Sequence, residues 1–188
     1  MNEARKTVRQ IKEVQPTITK LIIGICVAVF VYGQATGIDL SYEYGLAGIA
    51  VTEFGEYYRF ISAMFLHAGI IHILFNVMIL WQIGSVIEMR IGSPRFVALY
   101  ALSGLGGGLT SFLLNDPYTL SVGASGAIFG LLGAYVVLAR RLNVNHTQVL
   151  GLIGINLALG FIMPGIDWHA HVGGLVVGAA SAAVLARR

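Results

Sequence analysis

Short polar punctuation divides this chain into apolar runs that are too long, and too poor in charge, for a soluble fold. Only 11% of the 188 residues are charged, against about 25% in a typical soluble domain. Six runs of about 17–22 residues stand out, each able to cross about 30 Å of hydrocarbon as a helix. Lipid offers backbone N–H and C=O groups no partners, so a spanning segment must satisfy its own as a helix or join a closed barrel. Runs of this length select the helix. The expected class is an all-α polytopic membrane protein, a bundle of six transmembrane helices.

The boundaries follow from proline, glycine and charge. Residues 1–16 form a polar, basic head, and residues 17–188 form one membrane domain. The spans run from about Thr17 to Gly37, Ala68 to Met89, Arg95 to Leu114, Ser121 to Ala139, Thr147 to Met163 and Trp168 to Ala186. Gly92-Ser93-Pro94 is a turn, and Pro94 suits the first turn of the next helix. The connection from Ile38 to Leu66 carries Asp39, Glu43, Glu53, Glu56 and Arg59, and is too polar to cross. The first span exceeds the 7–15 residue core of a signal peptide and is expected to stay. The head is too short to form a separate soluble domain. The single cysteine, Cys26, rules out an intramolecular disulfide.

Lysine and arginine set the expected orientation. With the N-terminus in the cytoplasm, Arg5, Lys6, Arg9, Lys12, Lys20, Arg90, Arg95, Arg140, Arg141, Arg187 and Arg188 fall inside, and only Arg59 outside. That positive-inside bias places both termini in the cytoplasm. The pI near 9.2 arises from basic residues dispersed over span ends, so no basic binding face and no nucleic-acid partner are expected.

This topology sends spans two, four and six inward from the same outer face. His72 and Asn76 lie about four and eight residues into span two, Ser125 about four into span four, and His171 about three into span six. At 1.5 Å per residue, they sit roughly 5–12 Å below the outer boundary. Buried polar groups at such depth face a cavity or one another. His72 and Asn76, four apart, project from one helix face. Singly, each has a bland reading: a capping or packing serine, a helix-helix asparagine, a wet interfacial histidine. Their common depth favours a joint role.

The chemistry that fits is a serine hydrolase. A serine hydroxyl needs a base beside it, and His171 is the candidate for Ser125. Asp167, at the loop edge, can orient an imidazole, but a Ser–His dyad is expected. His72, Asn76 and the Ser125 N–H can stabilise an oxyanion, and a helix start at Ser125 favours negative charge there. Gly123, Ala124 and Gly126 leave room for a substrate backbone. Residue 127 is alanine, so this is not the Gly-x-Ser-x-Gly elbow of the α/β-hydrolases. Gly126/Gly130 and Gly174/Gly178 have the spacing that lets membrane helices approach closely. Gly104-Leu-Gly106-Gly-Gly108 is expected to pack helices rather than bind phosphate, lacking a preceding strand and the P-loop lysine.

At these residues the chain resembles the rhomboid intramembrane serine proteases. Gly123-Ala124-Ser125-Gly126, the His72-Ile-Leu-Phe-Asn76 run and Ala170-His171-Val-Gly-Gly174 are similar to that family's signature. Gly84-Ser-Val-Ile-Glu88-Met-Arg90-Ile-Gly92 resembles its Gly-x-x-x-Glu stretch. The similarity covers about residues 55–180. It implies Ser125 as nucleophile, His171 as base, and His72 with Asn76 at the oxyanion. Two positions depart from the pattern. Tyr58, before Arg59, stands where tryptophan is frequent, and Phe129 where tyrosine is common. The Phe129 ring can still stack on His171, without a phenolic bond.

The resemblance implies a multi-pass plasma-membrane endopeptidase, working among membrane lipid, whose substrates are transmembrane helices cut near their outer ends. No cofactor or metal is expected. Phe54, Tyr57, Tyr58 and Phe60 are candidate interfacial anchors, and Phe161 to Trp168 a candidate cap over the site. Two rivals remain: a non-catalytic relative that binds membrane helices, and a metal-dependent protein using His67, His72, His169 and His171. The second lacks a His-Glu-x-x-His stretch and an acidic ligand cluster.

Overall fold

A computed structural model describes residues 15–142 and 144–185. The expected head, except at its last residues, lies outside that range, as do Arg5, Lys6, Arg9, Lys12, Arg187 and Arg188, on which the orientation chiefly rests. The described chain forms α1 (Thr17–Thr36), three short helices α2 (Leu40–Tyr44), α3 (Gly48–Phe54) and α4 (Arg59–Ser62), then α5 (Ile70–Ile91), α6 (Ser93–Leu114), α7 (Ser125–Arg141), α8 (Thr147–Ile162) and α9 (Trp168–Leu185). Helices α1, α5, α6 and α9 are long and apolar enough to cross a bilayer, while α7 and α8 have 17 and 16 residues. The protein is an all-helical, multi-pass membrane protein.

Helix α7 is the axis of the bundle. Gly126 to Ala134 are buried without a break, so protein surrounds its first half on every side. That explains why α7 is shorter than the expected fourth span and starts four residues later. Glycine at 123 has φ +127°, which helix geometry excludes, and the preceding backbone finds partners elsewhere. Ser121 exchanges two backbone hydrogen bonds with Leu46, at 2.9 and 2.8 Å, and the Gly123 N–H donates to the Ala63 carbonyl at 2.9 Å. Non-helical backbone is tolerated within a membrane domain where protein satisfies it.

Small residues set the spacing of α6, α7 and α9. A Cβ on Gly174 would meet the Gly126 carbonyl, one on Gly178 the Gly130 backbone, and one on Gly130 the Ser103 side chain. The glycine run of α6 likewise packs helices: Gly107 faces the Ala170 carbonyl and Gly106 the Val177 side chain. Phe96, Leu99, Ile128 and Leu131 fill the space between α6, α7 and their neighbours.

The polar connection before α5 is ordered and docked. Arg59 is buried; its guanidinium pairs with Glu56 at 2.6 Å and donates to the Tyr42 and Gly45 carbonyls at 3.0 and 2.7 Å. The Ser62 hydroxyl donates to the Tyr44 carbonyl at 2.7 Å. Tyr58 packs edge-on against Tyr44, so tyrosine serves this docking. Phe54, Tyr57 and Tyr58 are exposed, as anchors would be, but Phe60 turns inward onto Phe112 and is no interfacial anchor.

At the opposite end, the buried Glu88 carboxylate joins three elements. It accepts the Ile18 and Thr19 N–H groups at 3.0 and 2.8 Å, the Thr19 hydroxyl at 2.8 Å and the Ser93 hydroxyl at 2.6 Å. A side chain from α5 thus satisfies N–H groups that the start of α1 leaves open.

Candidate active site

Ser125 is the first residue of α7, and His171 lies in the first turn of α9. The glycine contacts bring these two helix starts together, and the His171 Nε2 lies 3.0 Å from the Ser125 Oγ. That is within reach for proton transfer from hydroxyl to imidazole. Phe129, one turn below Ser125, stacks on the His171 ring, with centroids 4.1 Å apart and planes 9° from parallel. The ring therefore keeps its orientation with no phenolic bond. His171 is buried, whereas Ser125 is half-buried.

If Nε2 accepts the serine proton, Nδ1 carries hydrogen. Among the described residues, Nδ1 has no hydrogen-bond partner. Asp167 does not orient the imidazole. Its Oδ2 accepts the Ser121 hydroxyl at 2.6 Å and its Oδ1 the Ala170 N–H at 3.0 Å. The chain places aspartate at a helix start, where its carboxylate is drawn to open N–H groups.

His72 comes from α5 on the other side of the serine. The Ala68 N–H donates to its Nδ1 at 3.4 Å, which leaves Nε2 as the protonated nitrogen of the neutral ring. A Cβ on Gly123 would lie 2.8 Å from that Nε2 and 3.5 Å from the Ser125 Oγ. The ring thus stands against the serine turn with an N–H to offer, and both space and backbone angle demand glycine at 123. Asn76 is buried one turn further along α5, and its Nδ2 donates to the His72 carbonyl at 2.8 Å. Serine and His171 meet directly, and the His72 ring stands against Gly123, two residues before the serine. The Asn76 amide is engaged with its own helix and keeps a second N–H. Four residues further on, α5 widens into a π-helical turn from Leu80 to Gly84, a distortion often found near functional sites.

A cavity of about 30 Å³ borders Ser125, lined by Ala63, Met64, Gly104 and Gly123 among others, with room for a water molecule. The four histidines named as metal ligands are dispersed in role: His169 donates from Nδ1 to Asn115, His171 meets Ser125, and His67 packs edge-on against His72. Sequence reasoning missed the polar group behind the dyad, formed by Ser111, Asn115, His169, Ser121 and Asp167. The available signal was the spacing: Ser121 and Asp167 each precede a dyad residue by four positions.

These features define a polytopic helical membrane protein that presents a serine–histidine pair at the starts of two neighbouring helices. The rhomboid domain family model matches residues 54–188. Rhomboid protease GluP of Bacillus subtilis (strain 168) is 37% identical over 193 residues, covering 97% of this chain and 38% of that protein. RHOMBOID-like protein 5 of Arabidopsis thaliana is 40% identical over 137 residues, covering 68% of this chain and 44% of that protein. RHOMBOID-like protein 2 of Arabidopsis thaliana is 42% identical over 129 residues, covering 64% of this chain and 40% of that protein. The chain belongs to the rhomboid family. It spans less than half the length of each of these three relatives.

Proposed function

We propose that this chain is an intramembrane serine endopeptidase of the plasma membrane, cutting transmembrane protein substrates with a Ser125–His171 dyad. The observation that carries this reading is the 3.0 Å approach of Ser125 Oγ to His171 Nε2. The family membership, and a relative named rhomboid protease, support it. Ser125 Oγ attacks the scissile carbonyl carbon while its proton passes to His171 Nε2. The tetrahedral oxyanion is met by the Nε2–H of His72, the free N–H of Asn76 and the N-terminal dipole of α7. As the C–N bond breaks, His171 returns the proton to the leaving amine. Water then attacks the acyl carbon, giving a proton to His171, which passes it to the departing Ser125 Oγ as the carboxylic acid product leaves. Phe129 holds the base in plane, while Gly123, Gly126 and Gly174 keep the serine turn and its helix contacts small. No step calls for a cofactor or metal. In this reading residues 17–188 act as one domain with both termini in the cytoplasm, and the Phe161–Trp168 segment caps the site.

The test is cleavage of a tagged transmembrane substrate by purified protein in detergent, beside Ser125→Ala and His171→Ala. Both substitutions are expected to lower cleavage by about 10³-fold or more, and EDTA to leave it unchanged. Wild-type rates in Ser125→Ala remove that residue as nucleophile. No cleavage by the native protein of any of several substrates favours a helix-binding role instead.

A further inference from the structure

Two hydrogen bonds run side by side between the segment entering α7 and the start of α9. Ser121 meets Asp167 at 2.6 Å, and Ser125 meets His171 at 3.0 Å, with the members of each segment four residues apart. Ser121 is itself fixed, through its backbone pairing with Leu46, and Gly123 is fixed on Ala63. Asp167 is fixed through Ala170, in the first turn of α9. The piece of chain between Ser121 and Ser125 therefore has little freedom, and neither has the turn between Asp167 and His171. We propose that Asp167 and Ser121 form a clasp that sets the distance between the serine hydroxyl and the imidazole. Both are positioning residues for the dyad; neither touches substrate. The proposal rests on the protease reading above.

The plainer account makes Asp167 a helix cap and nothing more. A cap needs only Oδ1 on the Ala170 N–H. The second oxygen, on Ser121, adds nothing to α9 and instead joins it to another segment. Burial pushes the Asp167 carboxyl up, but hydrogen bonds from Ser111, Ser121, the Ala170 N–H and Asn115 outweigh it and hold the group below the ordinary carboxylate range. A charged carboxylate makes a stronger, shorter hydrogen bond than a neutral acceptor. Displacement of reacting groups by about 1 Å can cost about a hundredfold in rate, so a clasp of this kind has leverage on turnover.

The test separates clasp from cap with two nearly isosteric substitutions, Ser121→Val and Ser121→Thr, which differ only in the hydroxyl. Each is assayed for labelling of Ser125 by a fluorophosphonate, for kcat and KM on a transmembrane substrate, and for thermal unfolding. Measured well below the unfolding midpoint, Ser121→Val is expected to slow labelling and kcat about tenfold with KM unchanged, and Ser121→Thr to restore both. Asp167→Ala, which also loses the cap, is expected to slow labelling and lower the midpoint. Labelling of Ser121→Val at the native rate overturns the clasp. Failure of the protease reading looks different: the native protein is then labelled no faster than Ser125→Ala.

A second, independent feature lies at the other end of the bundle. The basic residues that look dispersed in sequence converge there. Arg90 at the end of α5, Arg95 at the start of α6 and Arg141 at the end of α7 line one cavity of about 270 Å³. Among the described residues none of the three pairs with a carboxylate; Arg141 spends one N–H on the Ala183 carbonyl at 2.9 Å. The cavity shares Arg90, Leu138 and Leu142 with a groove between α5 and α7, where Val86, Met89 and Tyr135 supply apolar wall. Arginines with no carboxylate partner among the described residues, beside an apolar groove at a membrane boundary, match a phosphate attached to an acyl chain. We infer that this is a seat for one anionic phospholipid, its phosphate among the arginines and its chain along the groove.

The measurement is the thermal unfolding midpoint in detergent with added phosphatidylglycerol, phosphatidylcholine or inorganic phosphate. Phosphatidylglycerol is expected to raise the midpoint by several degrees more than phosphatidylcholine, and Arg90→Gln with Arg95→Gln to abolish the difference. Equal response to the two lipids, a response that survives in the double variant, or one matched by millimolar inorganic phosphate overturns the lipid site.

Discussion

Helices α6, α7 and α9 and helices α1, α5 and α8 are held by different physics. The first three meet backbone to backbone, through glycines whose replacement would strike carbonyls or side chains on the next helix. The second three keep broad apolar faces exposed, with Leu21, Ile25, Phe75, Trp81, Ile155 and Leu159 all turned outward. Gly151 and Gly154 of α8 have no atom within 4 Å of a would-be Cβ. Lipid tails are as apolar as leucine, so in a membrane only close packing and polar contacts bring helices together. The glycine-tight trio is therefore the rigid part, and it carries Ser125 and His171. His72 and Asn76 stand on α5, whose regular winding is interrupted by a π turn. The difference teaches that Ser125 and His171 are held together by close-packed helices, while His72 and Asn76, the proposed oxyanion side, sit on a less closely packed helix.

The sharpest way to break this comparison is to substitute glycines in both regions. Gly174→Leu must displace the Gly126 carbonyl, and is expected to destabilise at or beyond the ~3 kcal/mol top of the usual overpacking range. Gly154→Leu meets open space and is expected to leave the unfolding midpoint where it was. Equal damage from both, read by denaturant titration in detergent micelles, would remove the distinction between the two regions.

Glu88→Gln tests what holds the outer helices. It weakens the acceptor shared by Ile18, Thr19 and Ser93, and is expected to cost about 1–3 kcal/mol. The midpoint falls, but fluorophosphonate labelling of Ser125 measured well below it stays at the native rate, because the dyad lies in the other region. A drop in labelling at low temperature would couple the two.

A pH titration reads the α5 side separately. Burial, and then the neighbouring His72, push His67 down from its ordinary 6.5 to about 4. Between those values the unfolded chain binds a proton that the folded protein refuses. Stability is therefore expected to fall as pH drops from 6.5 towards 4, and this contribution to level off below that. His67→Gln should flatten the slope; an unchanged slope assigns it to other groups. The smallest effect is expected from Phe129→Leu, which keeps apolar volume but removes the ring stacked on His171. Such aromatic pairs contribute about 0.5–1.5 kcal/mol, so a several-fold loss in kcat and a small fall in the midpoint are expected.

The fold was legible where lipid imposes a rule. Helical runs, their order and most of their boundaries follow from hydropathy, proline and charge, because an unpaired backbone group in hydrocarbon is so costly. The fourth span was placed four residues early. Hydropathy counts Ser121 to Ala124 as span, but their backbone is satisfied by Leu46 and Ala63, which no local pattern reveals. The glycine pairs foretold contact between α7 and α9 because only close approach makes glycine worth its entropy. Phe60 was misjudged because an aromatic at a membrane interface and one folded back onto Phe112 look alike in sequence.

At the candidate site, the residue types and spacings were readable, since serine, two histidines and asparagine in apolar surroundings demand a reason. Their partners were not. From sequence Asp167 reads only as a group able to orient an imidazole, and only the packing of α9 turns its second oxygen onto Ser121. The three arginines lie 5 and 46 residues apart along the chain, and only the ends of α5, α6 and α7 bring them to one cavity. By itself the sequence determined the membrane class, the helix order and the chemical groups, because these depend on transfer from water to lipid and on local backbone satisfaction. Tertiary structure decided which oxygen each donor meets, how deep the central helix begins and which charges share a cavity, because those depend on distances between segments that no one-dimensional pattern encodes.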